Sequence, residues 1–94
     1  MRRLRIDPEM SQRMGDCGLS RNAMVRFMVA LRFDLENDDQ RNCTVRHPVD
    51  SRFFLYRLAI ADGMWTHRFL FLMDDSTSPD DLFIINFQHA RDSD

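Results

Sequence analysis

The sequence predicts an α+β fold in which two N-terminal helices pack on one face of a small antiparallel sheet, in the element order β-α-α-β-β-β-β. Three observations carry this. Apolar residues recur at helical spacing up to about Asn37. From Cys43 the pattern changes to alternation, rich in aromatic and aliphatic residues. Short turn signals separate the extended runs, so consecutive strands should pair as a meander with the helices on one side. The chain has 94 residues with no repeat or linker, and 1–94 reads as one domain.

Leu4-Arg5-Ile6 alternates and reads as a short first strand. Asp7-Pro8-Glu9 is a helix start: an N-cap acid, proline at the first helical position, then an acidic first turn. Met10 and Met14 share a face of this helix, and Gly15 stops it. Ser20 is the N-cap expected for the longer second helix. Met24, Phe27, Met28, Leu31 and Leu35 make its core stripe, and Val25, Val29 and Phe33 make a second stripe beside it. Such a helix is expected to be covered on two sides. Cys43 to His47 alternates and ends at Pro48. Arg52 to Asp62 is a long strand, closed by the turn Asp62-Gly63. Met64 to Met73 follows, then the loop Asp74 to Asp81, the last strand Leu82 to His89 and a polar tail from Arg91 to Asp94.

Strand parity assigns the two faces. Phe54, Tyr56, Leu58 and Ile60 share one side, as do Trp65, His67, Phe69, Phe71 and Met73, and then Phe83, Ile85, Phe87 and His89. This aromatic side is expected under the helices. The opposite side carries Thr44, Arg46, Phe53, Leu55, Arg57, Thr66, Arg68, Leu70 and Leu72, then Ile84, Asn86 and Gln88. Arg46, Arg57 and Arg68 are therefore expected to converge there, on a surface apolar enough to need a cover. A partner chain or a second copy in a homodimer are the candidates, since the tail is short and polar.

Composition narrows the function. The net charge of −2 counts against a protein whose whole surface is built for nucleic acid, and leaves room for a local basic patch. All basic residues are arginine, so no lysine acts as a base or phosphate anchor. No apolar run approaches a membrane span, and a secretory signal is not expected, which points to the cytoplasm. Cys17 and Cys43 form no CxxC pair and read as reduced thiols; no residue set has metal-ligand spacing, and no metal or cofactor is expected. Asp74, Asp75, Asp80 and Asp81 read as solvated loop acids. His67 reads as a core or rim residue, and His47, before Pro48, as a turn residue.

Three motifs, in order, resemble the RelE/ParE toxin superfamily of bacterial toxin–antitoxin pairs. Tyr56-Arg57-Leu58 is similar to the aromatic-Arg-apolar start of the family's third strand. Arg68 to Asp75 is similar to its Arg-apolar-apolar-aromatic strand with an acidic turn, and Ile85 to Asp92 to its last strand with a His-x-Arg ending. The resemblance implies a toxin held by a cognate antitoxin, either a RelE-like endoribonuclease that cuts ribosome-bound mRNA or a ParE-like inhibitor of gyrase. In the first case a ribose 2′-hydroxyl attacks the adjacent phosphate, which calls for a base, an acid and cations. Arg57 and Arg68 would then neutralise phosphate, His89 would transfer the proton, and Arg46 and Arg91 would assist in holding RNA. Val25, Val29, Phe33, Leu70 and Leu72 would meet the partner. A non-catalytic binding module on the same fold, or an obligate homo-oligomer, stands as the alternative. By parity His89 points to the core side with Phe87, away from the arginine face.

Overall fold

The structure, a computed structural model, describes residues 3–37, 44–75 and 80–93. Strand β1 (Arg3–Arg5) leads into helix α1 (Pro8–Gly15) and then α2 (Arg21–Glu36). Four strands follow: β2 (Thr44–Arg46), β3 (Phe53–Asp62), β4 (Trp65–Asp74) and β5 (Asp81–Ser93). They form one sheet in the order β1-β5-β4-β3-β2. The two helices and the β2-to-β5 meander match the expected α+β class. The wholly antiparallel sheet does not: β1 runs parallel to β5, with Leu4 opposite Leu82. The two helices between β1 and β2 return the chain to the far edge, which leaves β1 free to dock beside β5.

Both helices begin as the sequence suggests. The Asp7 carboxylate accepts a hydrogen bond from the Met10 amide at 2.8 Å, and the Ser20 hydroxyl accepts one from the Ala23 amide at 3.2 Å. Ser20 is itself anchored: its amide and hydroxyl both donate to the Asp62 carboxylate, at 2.7 and 2.8 Å. The start of α2 is thereby tied to the end of β3. These bonds hold the Asp62 carboxyl below its ordinary pKa, the Ser20 amide contributing most. Gly63 takes φ +64° in the two-residue connection from β3 to β4, a left-handed conformation that favours glycine.

The core lies between the helices and the inner sheet face. Ala23, Phe27, Leu31 and Leu35 run down the buried side of α2, with Met24 and Met28 half-buried beside them. Phe27 sits 4.6 Å from Phe69 and 6.0 Å from Phe71, ring centre to ring centre. Val25, Val29 and Phe33 are 59%, 63% and 67% exposed. The second helical stripe is therefore uncovered in this chain, contrary to the expectation of cover on two sides.

Three further expectations are corrected by register. A bulge between Leu72 and Met73 sets Asn86 opposite Leu72 but Ile84 opposite Met73, which leaves Ile85 as the extra residue. Leu82 and Ile84 are thus buried in the core, while Ile85 is exposed and Phe83 half-buried. Strict alternation from Phe87 backwards gives the reverse. Second, Thr44 pairs with Tyr56 and Arg46 with Phe54, so both lie on the helix side of the sheet. Third, β5 runs four residues beyond His89, to Ser93. Cross-strand partners explain the extension: Arg91 lies over the Trp65 ring at 4.1 Å, and Asp92 binds Arg68 at 2.7 Å. Cys17 is half-buried with its thiol pushed up in pKa by burial, and Cys43 lies outside the described residues.

Candidate functional site

Three cross-strand rows build the outer face of the sheet. Ala59, Arg68 and Ala90 form one row across β3, β4 and β5; Arg57, Leu70 and Gln88 form the next; Leu55, Leu72 and Asn86 form the third. The two alanines leave low ground on either side of Arg68. A concavity of about 680 Å³ opens there, bordered by Arg57, Arg68, Leu70 and Gln88. Arg57 and Arg68 are diagonal neighbours, about 7–8 Å apart as such pairs are, with Cβ atoms somewhat closer. Two guanidinium groups at that separation reach a single phosphate between them.

Their surroundings differ. Arg57 is exposed and makes no hydrogen bond or ion pair with the described residues. The Arg68 Nε donates to Asp92 Oδ2 at 2.7 Å, with both side chains more than half exposed. Exposed pairs of this kind contribute about 0–1 kcal/mol, so an incoming phosphate displaces Asp92 at small cost. Leu70, Leu55 and Leu72 supply a half-buried apolar floor.

The remaining expected site residues lie elsewhere. His89 borders the concavity through its place in β5, but its ring is on the helix side, 4.9 Å from Phe69 and stacked at 5.1 Å on His67. His89 Nε2 and His67 Nδ1 are 2.9 Å apart, which fits a hydrogen bond between the rings. Burial, then His67 and Arg91, lower the His89 pKa from its ordinary value. The sheet therefore separates this imidazole from the arginines. Arg91 sits over Trp65, on that same side. Arg46 lies over the Phe54 ring at 4.6 Å and donates to the Ser51 carbonyl, so it does not join Arg57 and Arg68. Among the described residues no cluster of His, Cys, Asp or Glu could hold a metal ion, and no helix is long and apolar enough to cross a membrane.

One residue that the sequence marks only as a turn residue lies on the arginine side. His47 borders a second, smaller hollow of about 250 Å³ with Leu55, Leu70, Leu72, Asn86 and Gln88. Its Nδ1 accepts the amides of Val49 and Asp50, both at 3.1 Å. Pro48 folds the chain so that these amides turn back on the ring, much as an Asx turn uses a carboxylate. The His-Pro-x-Asp run carries that signal, but not the side of the sheet to which the ring belongs. Arg13 is the other residue not singled out. From α1 it donates to Asn86 Oδ1 at 2.7 Å and to the Phe87 carbonyl at 3.2 Å. It covers the open edge of β5 and orients an amide of the outer face.

Family models, curated proteins and solved structures give no match to this chain. The chemistry of the outer face therefore rests on its own residues. Two cations, one of them unpaired among the described residues, stand over an apolar floor flanked by amides. This arrangement can hold a phosphate and the group next to it.

Proposed function

We infer that the chain is the toxin-type member of a toxin–antitoxin pair and that it engages single-stranded RNA through the outer face of β3, β4 and β5. The observation that carries this reading is that Arg57 and Arg68 border one concavity. Bidentate guanidinium groups neutralise phosphate, and a half-buried leucine floor offers an apolar platform for the attached nucleotides. The three motifs that resemble the RelE/ParE superfamily include both arginines. Cleavage would need a base for the 2′-hydroxyl and an acid for the leaving oxygen. The His89 ring lies behind the sheet, so arrest by RNA binding alone fits this face better than cleavage through His89.

Induced expression in a bacterial host tests the reading, with the wild-type chain set against an Arg57→Ala/Arg68→Ala double variant. Growth arrest by the wild type alone, with both proteins soluble and folded, is expected. Arrest by both would move the action off this face. Absence of arrest by well-expressed wild type would contradict the toxin reading.

A second reading is a non-catalytic module that binds a protein partner on the same fold. The exposed stripe Val25, Val29 and Phe33 favours it, because three large apolar side chains on one helix face are a surface suited to a partner. Co-expression with the product of the adjacent open reading frame separates the two, since a stable complex without RNA binding supports only the second.

A further inference from the structure

The smaller hollow on the outer face adjoins the arginine concavity, and Leu70 and Gln88 border both. Its polar rim shows an imbalance of donors over acceptors. Asn86 Oδ1 accepts the Phe87 amide at 2.9 Å and Arg13 at 2.7 Å. Both lone pairs are thereby occupied, and the Asn86 amide has only N–H groups to offer a ligand. His47 Nδ1 accepts two backbone amides, so the ring hydrogen sits on Nε2. That nitrogen is a donor whether the ring is neutral or charged. Gln88 is exposed, and its amide can turn either way. The floor, Leu55, Leu70 and Leu72, is apolar and half-buried.

We propose that this hollow is a nucleobase pocket, placed next to the phosphate held by Arg57 and Arg68, and that it selects keto bases over amino bases. The inference rests on the RNA-binding reading above and adds a specificity to it. A base laid on the leucine floor brings its edge to the rim. Uracil presents O4 and guanine O6 at this edge, and each accepts from His47 and Asn86. Laid in the same orientation, cytosine and adenine bring an exocyclic amino group to that position, which meets the N–H donors head-on and forfeits those hydrogen bonds. Uracil and cytosine have nearly the same shape, so the comparison between them isolates this difference.

Fluorescence anisotropy with labelled oligouridylate and oligocytidylate of equal length tests it on the full chain. The wild type is expected to bind oligouridylate about tenfold more tightly. His47→Phe keeps a ring but removes the donor, and should bring the two affinities to within about twofold. Gln88→Glu, at an exposed position that leaves the turn at His47 intact, adds an acceptor and should shift preference toward oligocytidylate, whatever the total affinity. Arg57→Gln should weaken both oligonucleotides alike and preserve the ratio. Equal binding of the two by the wild type, with Arg57→Gln still weakening both, would overturn the base preference and leave the RNA-binding reading standing. A uridine preference unchanged in both His47→Phe and Gln88→Glu would overturn it too. No RNA binding by the wild type would overturn both inferences.

Discussion

Arg57 and Arg68 share a concavity but not a charge environment, and that difference gives a test on single side chains. Arg68 is shared with Asp92 in the free protein, whereas Arg57 has no such competitor among the described residues. Removing the competitor with Asp92→Asn should strengthen RNA binding by up to about fivefold, since exposed ion pairs are worth about 0.2–1 kcal/mol. Anisotropy titrations at fixed salt measure it, and weaker binding would mean that Asp92 positions Arg68 rather than competing for it. The side of the sheet on which Arg57 lies was legible because strand parity alone gives it. His89 was legible as an inward residue for the same reason, and its ring does lie on Phe69 and His67. Arg46 was misplaced because β2 has three residues, too few for any face pattern to fix which of them meets Phe54.

At the scale of elements, helix starts and hairpin turns were readable because each depends on local chemistry: an Asp7 or Ser20 cap, a glycine at Gly63. The bulge at Ile85 was not, since Leu82 to Ile85 are apolar at every position and alternation gives no preference. Deletion of Ile85 should remove the bulge and leave Leu82 and Ile84 facing the core, so cooperative thermal unfolding, followed by circular dichroism, should persist; its loss would mean that the bulge itself is required. A helix stripe gives the contrasting case. Phe27→Ala should cost about 3–5 kcal/mol, because it empties the space between α2 and Phe69. Val29→Ser, two residues on and exposed, should change stability by no more than about 0.5 kcal/mol. A large loss at Val29 in denaturant titrations would mean that the stripe is covered by a second copy. The parallel placement of β1 was also unreadable, since three residues carry no signal of direction.

For the molecule as a whole, Asp62 and His89 give a direction to its pH dependence. Burial lowers the His89 pKa below its ordinary 6.5, so the unfolded chain binds more protons than the folded one in the interval between the two values. The contribution is complete above pH 6.5 and is lost as pH falls through that interval. Asp62, also lowered, adds a second loss below 3.8. The thermal midpoint should therefore fall on acidification from pH 7.5, and His89→Gln should flatten the part of the fall nearest pH 6. A midpoint that rises on mild acidification would contradict this assignment.

The two faces of the sheet differ in kind: a helix side holds the core and the histidine pair, and an outer side carries Arg57, Arg68 and half-buried leucines, on which the RNA-binding proposal rests. Backbone amide shifts followed by NMR during titration with a single-stranded oligoribonucleotide test that division most directly. Shifts concentrated at Arg57, Arg68, Leu70 and Gln88, with His67 and the α2 stripe unmoved, are the expected result. Shifts confined to α2 or to His67 and Arg91, or no shifts at saturating RNA, would contradict it.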